Sequence, residues 1–216
     1  MGQKVNPIGF RVGPFFNWSA KWYAPKADYA ETVLEDYKLR KYLEDKLNSA
    51  GVVRIDIERS LTVIKVILHV ARPGVVIGKG GSNLEDIKKQ IEHILNVSKL
   101  KKDRVKIDLR VEEVTQPDMS SKLVAERIAG QLGKRFPHRR AVLQAIERVM
   151  QSGAKGVKIS LAGRIGGAEI GRTEKYFEGS IPTQTLRANI DYFHQSAYTR
   201  SGYVGVKVWI YKGELV

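Results

Sequence analysis

The chain has 216 residues and a formal net charge of +14, from 37 Lys and Arg against 23 Asp and Glu, and 43% of it is hydrophobic. That apolar share is enough to build a core and excludes wholesale disorder, while the cationic excess calls for a polyanionic partner, nucleic acid ahead of an anionic membrane surface. Cysteine is absent, which removes disulfides, thiolate zinc sites and thiol nucleophiles.

The length fits one large domain or two small ones. No apolar run approaches the ~20 residues that span a bilayer. The opening "MGQKVNPIGFRVG" lacks the apolar core of a signal peptide, and Asn6 stands where a myristoylation signal needs Ser or Thr. A soluble, cytoplasmic protein is expected.

Residues 1–17 carry Gly2, Pro7, Gly9, Gly13 and Pro14 with Lys4 and Arg11 between them, and no periodicity. They read as a basic extended tail, either frayed or ordered against RNA phosphates. From Ala27 to Ala50, Tyr29, Val33, Tyr37 and then Leu39, Leu43, Leu47 recur at helical spacing. "VVRIDIER" alternates as a half-buried strand through Val53, Ile55 and Ile57, and "LTVIKVILHV" is continuous enough for a central strand. Pro73 ends it. After a glycine corner, Leu84, Ile87, Ile91, Ile94 and Leu95 form a helical stripe; the link "SKLKKD" and the alternating "RVKIDLRVEEV" follow.

"TQPDMSS" places a domain boundary near residue 117. Beyond it two helices are expected, over about 119–134 and 138–152, separated at Phe136-Pro137. Four strand-like runs follow: "GVKISLAGR", "TEKYFEGS", "TLRANIDYFHQSAY" and "GVKVWIYKG". This half reads as helices on an antiparallel sheet, an α+β arrangement.

The corner Gly78-Lys79-Gly80-Gly81 fits no nucleotide loop. A P-loop needs four residues between its glycines and Ser or Thr after the lysine, and here Gly74 and Gly78 enclose three while Gly80 follows Lys79. The dinucleotide pattern fails at Asn83. A one-turn helix from Pro73 to Ile77, ending at Gly78, with a second helix starting at Ser82 under a Ser82/Glu85 capping box, leaves a bare corner between them. Backbone N–H groups and a helix N-terminus there can face phosphates, with Lys79 as a mobile cation; that is the chemistry of a G-x-x-G clamp on single-stranded RNA. Glu85 and Asp86 in the first turn work against an incoming phosphate.

A second basic region surrounds the Phe136-Pro137 break. Val142, Ile146, Val149 and Met150 supply a buried stripe, with Arg139 and Arg140 in the first turn and Lys134 and Arg135 just before it. Cations at a helix start oppose its dipole by about 0.3–1 kcal/mol. An anion-facing surface and a solvated basic face are both open readings. Trp18, Trp22 and Tyr23 could stack on bases or lie as a lid on the first domain. His69, His93, His138 and His194 show no metal spacing, and no nucleophile stands beside a base, so no catalytic residue, metal or cofactor is expected.

"ARPGVVIGKGGSNLEDIKKQI", within this order of elements, resembles a type II KH domain. The whole chain resembles the bacterial family of small-subunit (30S) ribosomal protein three, through "GQKVNPIGFRVG", "ARPGVVIGKGG", "KLVAERIAGQL", "GAKGVKISLAGRIGGAEIGRTE" and "IDYFHQSAYTRSGYVGVKVWIYKGE". These stretches cover nearly the full length in family order. The resemblance implies a basic extended tail over 1–17 and a KH domain over 18–117, a three-stranded sheet with helices on one face. Residues 118–216 would then form an α+β domain of two helices on a four-stranded antiparallel sheet. It implies a structural place in the head of the small subunit, contacts with 16S rRNA, and neighbours that include the tenth and fourteenth proteins of that subunit.

It further implies that Arg139 and Arg140, with Lys134 and Arg135 beside them, look toward the channel by which mRNA enters. A third basic residue, common in the family one turn on, is Leu143 here, which puts full unwinding activity in doubt. Lys4, Arg11, Lys155, Lys158, Arg164, Arg172, Arg187 and Arg200 are candidate rRNA contacts. The location implied is the cytoplasmic ribosome, and an organelle-encoded copy fits equally. No membrane or small-molecule substrate is expected. The competing classes are a free-standing KH regulator of mRNA and a lyase acting through a lysine.

Overall fold

The computed structural model of the protein describes residues 4–60, 62–95 and 106–215, with Lys79 described by its backbone alone. Its first element is a short helix, α1 (Pro7–Arg11), in a stretch expected to be extended. Asn6 is the cause: its Oδ1 accepts from the Ile8 and Gly9 amides at 2.9 and 3.3 Å, and Pro7 suits a first helical position. The extended tail is therefore corrected to a capped helical turn over these residues.

The chain forms two compact units, Trp18–Thr115 and Gln116–Val216, and the N-terminal stretch through Asn17 packs with the second. The first unit runs β1 (Ala20–Lys21), α2 (Lys26–Lys46), β2 (Val52–Arg59), β3 (Val63–Val70), α3 (Pro73–Ile77), α4 (Ser82–Ile94) and β4 (Lys106–Glu113). Its sheet has the order β1-β2-β3-β4, antiparallel between β2 and β3 and parallel in the two outer pairs. Three strands were expected. The fourth is the two-residue β1, with Ala20 opposite Ile57, too short to show any alternation. The lysine-rich link 98–103 lies outside the described residues.

Ile64, Val66, Leu68 and Val70 turn inward from β3, the central strand of the expected reading, while its other face is half-buried. In β2 the inward set is Val52, Ile55 and Ile57, not Val53. A bulge between Val52 and Arg54 shifts the phase by one residue, and strict period-two counting misses it. Leu39, Leu43 and Leu47 from the α2 region, and Ile87, Ile91 and Leu95 from the α4 region, close the core over this sheet. Tyr29, Val33 and Tyr37 remain exposed. Tyr37 and Leu39 are two residues apart, about 200° around a helix, so the two expected stripes lie on nearly opposite faces and only one can meet the sheet.

The second unit runs α5 (Ser121–Gly133), α6 (His138–Gln151), β5 (Gly156–Gly163), β6 (Arg172–Gly179), β7 (Ala188–Thr199) and β8 (Gly202–Glu214). The sheet is fully antiparallel in the order β6-β5-β8-β7. Val157, Ile159 and Leu161 of β5 and Val204, Val206, Val208 and Ile210 of β8 share one core with Val124, Ile128, Val142, Ile146 and Val149 of the two helices. The opposite face carries polar and aromatic residues and a small apolar cluster of Ala188, Ile190 and Tyr211. The α+β class, with two helices on a four-stranded antiparallel sheet in the second half, is the expected one.

Candidate nucleic-acid interface

In the first unit the glycine corner is locked at its base and open at its tip. Helix α3 ends at Gly78, whose φ of +71° is left-handed. The Asn83 amide Nδ2 donates to the Val75 carbonyl at 3.0 Å and ties the end of α3 to the start of α4. Gly80 and Gly81 have φ of +61° and +83°, and a Cβ on either would meet nothing within 4 Å. Gly81 caps α4 without a side-chain bond, and Ser82 lies one place inside the helix. The expected Ser82/Glu85 capping box is corrected accordingly: the left-handed glycine takes the capping position. The opening amides of α4 are left without intrahelical partners, beside half-exposed Val75 and Ile77. Main-chain donors next to apolar surface suit a phosphate followed by a base.

In the second unit, α5 ends in a tight reversal. The Arg135 amide donates to the Leu132 carbonyl and that of Phe136 to Gln131, both at 3.0 Å, and Arg135 itself adopts φ +60°. This is the position that glycine usually takes after a helix. Arg135 borders a cleft of about 320 Å³ together with Arg164, Arg200, Phe136 and His138. The structure thus brings together arginines that the sequence scatters over 65 positions (135 to 200). Arg139 and Arg140 are exposed in the first turn of α6, whose N-cap position holds Pro137 and so has no side-chain cap. The Arg140 guanidinium lies 5.8 Å from the centre of the Phe136 ring. Leu143 is 59% exposed and adds apolar surface beside them.

Electrostatics tie α6 to β6. The Glu174 carboxyl is held below the usual carboxylate range, first by the Tyr176 hydroxyl at 2.6 Å and then by Arg172 at 2.7 Å, against burial that works the other way. Burial, then Glu174, raises the Tyr176 phenol, and Arg139 draws it down. Arg139 thus acts on the Tyr176 phenol of β6 while staying exposed.

The remaining candidates separate by environment. Lys134 is exposed at the end of α5, and Lys155 and Lys4 are exposed as well. Arg172 and Arg187 are exposed but already paired, with Glu174 and with Glu214 at 3.1 Å. Lys158 is half-buried under the outer face of the sheet, over Trp209 at 5.4 Å. Arg11 requires a correction. It is fully buried, donates to the carbonyls of Pro7, Thr183 and Thr185 at 2.8, 3.2 and 2.7 Å, and has no surface to offer RNA. Of the aromatics, Trp22 lies 5.5 Å from Tyr29 and donates to Asp36 at 2.8 Å, as a lid would, whereas Trp18 and Tyr23 stay exposed. Among the described residues, no cluster of His, Asp or Glu could hold a metal, and no helix is long and apolar enough to cross a membrane.

Comparison with known proteins gives this geometry a family. Residues 38–119 match the KH domain, and residues 128–210 match the family described as "Ribosomal protein S3, C-terminal domain". Proteins named small ribosomal subunit protein uS3 from Caldicellulosiruptor bescii and Lachnoclostridium phytofermentans are 48% and 50% identical over all 216 residues, covering 94% of each relative. That of Clostridium acetobutylicum is 49% identical over the same span. The chain belongs to the uS3 family of ribosomal proteins. The family is structural and non-enzymatic, and its KH domain is an RNA-binding fold.

Three features of this uS3 chain escaped the sequence: the Asn83 tie, the buried role of Arg11, and two further lysines, Lys175 and Lys207, that line a cavity with Lys4 and Lys158. The last had a faint signal in "KVW" and "KYF", where lysine alternates with an aromatic on one strand face.

Proposed function

We propose that the protein is a structural constituent of the small ribosomal subunit that binds 16S rRNA in the subunit head and contacts mRNA where it enters. The observation that carries this reading is a match running end to end, through both units and in family order, with relatives named small ribosomal subunit proteins. The glycine corner supplies main-chain donors for an RNA backbone. The cleft of Arg135, Arg164 and Arg200, together with Arg139 and Arg140, supplies cations over which a strand can slide without bond-making chemistry. Neighbouring head proteins, the tenth and fourteenth of the subunit among them, would cover other faces.

Sucrose-gradient sedimentation of a lysate tests the reading. The protein should travel with the small subunit in one-to-one amount, and its affinity for rRNA should fall steeply with salt. A protein that runs only as a small free species, with no salt-sensitive binding to rRNA, defeats it.

A further inference from the structure

The outer face of the second unit's sheet holds a cavity of about 680 Å³, within the roughly 300–1,000 Å³ typical of ligand pockets. Strand register builds its floor. One cross-strand row sets Phe177, Lys158, Trp209 and Tyr192 side by side, and the next sets Lys175, Ser160 and Lys207. The N-terminal stretch adds a wall through Lys4 and Phe10, held in place by buried Arg11.

Lys4, Lys158, Lys175 and Lys207 therefore converge on one hollow, and none of its described lining residues is Asp or Glu. No described carboxylate pairs with any of the four. Like charges so placed repel one another: burial first, and then Lys4 and Lys175, hold the Lys158 ammonium below its ordinary value. A free surface lysine would turn into solvent to escape this. Lys158 is instead held over the Trp209 ring, which itself lies 5.1 Å from Tyr192 at a 41° tilt. The phosphodiester groups on either side of a nucleotide would relieve the repulsion, and the aromatic wall asks for a flat partner.

We infer that this cavity receives one unpaired nucleotide, its phosphate among the four lysines and its base against the aromatic wall formed by Trp209, Tyr192 and Phe10. Ser160 and Gln184, both on the lining, are placed for the polar edge of the base. An acidic protein segment would satisfy the lysines but leave the aromatic wall unused. The inference rests on the RNA-binding reading above for its source, an extruded nucleotide of an RNA strand, although a free nucleoside polyphosphate has the same chemistry.

The test uses the full-length protein and the double variant Lys175→Ala with Lys207→Ala, both residues exposed and outside the core. Binding is measured for an oligoadenylate, an abasic oligomer with equal phosphates, GTP and polyglutamate, and ultraviolet crosslinks are mapped. The double variant should bind the oligoadenylate about tenfold more weakly with a flatter salt slope. Removing the base should cost about tenfold or more. Crosslinks should fall on the peptides containing Tyr192 or Trp209. GTP competing at the same residues also supports the nucleotide chemistry and assigns its source to the free ligand. If the double variant binds RNA as wild type does while Gly80→Asp weakens it, RNA binding stands and the cavity inference falls. Equal affinity for the abasic oligomer, or displacement by polyglutamate with no base preference, also overturns it. No RNA binding by the wild type removes both readings together.

Discussion

A methyl group added at Gly78 would stand 2.8 Å from the Cβ of Asn83, whereas one at Gly80 would meet nothing within 4 Å. Both have positive φ, but Gly80 (ψ +20°) lies near the left-handed helical region, where alanine costs about 1–2 kcal/mol, whereas Gly78 (ψ −176°) lies in an extended region open essentially to glycine alone and costs more. Only Gly78→Ala adds a collision with a residue fixed by its own bond to Val75. Denaturant melts should therefore show Gly80→Ala losing about 1 kcal/mol and Gly78→Ala clearly more. Equal losses would mean that the corner is not locked at its base. Arg135 presents the reverse case, an arginine where the backbone favours glycine. Arg135→Gly should gain about 1 kcal/mol in stability and at the same time weaken RNA binding. Strain kept at a charged residue facing a cleft is what a functional position shows, and a variant that gains stability without losing RNA affinity would remove that argument.

Helix α2 was legible as a helix but not in how it is held. Its leucine stripe meets the core, while its first half is fixed by a polar network that no periodicity announces. Asp36 accepts from Trp22 Nε1 at 2.8 Å and from Arg59, and Glu35 accepts from the same arginine at 2.7 Å. The partners stand 14 and 23 residues from Asp36, beyond any local pattern. Asp36→Ala leaves the Trp22 indole N–H without its acceptor and the half-buried Arg59 guanidinium with Glu35 alone, and should cost about 1–3 kcal/mol in a chemical melt. The amide-bearing Asp36→Asn should recover part of that loss. Helix α6 has a buried face in the core and an exposed basic first turn that can be altered separately. Arg139→Ala with Arg140→Ala leaves the buried Val142–Ile146–Val149 face untouched, so the fold is kept. Translation through stable hairpins should slow more than translation of unstructured message, and equal slowing would break the link to the message path. Leu143→Lys adds a cation on the same exposed face and should shift that ratio the other way.

The first unit, Trp18–Thr115, is inserted in the chain between α1 and the rest of the unit that α1 packs with. This arrangement divides what could be read from what could not. Apart from α1 and the two-residue β1, the order of helices and strands, the glycine corner and the positive charge depend on patterns within some twenty residues or on composition alone, and they were legible. Arg11 was not, because its acceptors Thr183 and Thr185 lie 172 and 174 positions away. The lysine-lined cavity was hidden for the same reason, since register among four strands and the returning N-terminal stretch assemble it. Arg11 also offers a test of the whole arrangement. Arg11→Ala strips the Thr183 and Thr185 carbonyls of a charged donor in a fully buried setting, and should cost about 2–4 kcal/mol. The loss should be confined to the second unit: amide exchange should speed up in β7 and β8 while the strands of Trp18–Thr115 keep their protection. Arg11→Lys, with one compact ammonium instead of a fork, should recover only part of the loss. Exchange that accelerates equally in both units, or in neither, would show that the N-terminal stretch is not part of the second unit's fold.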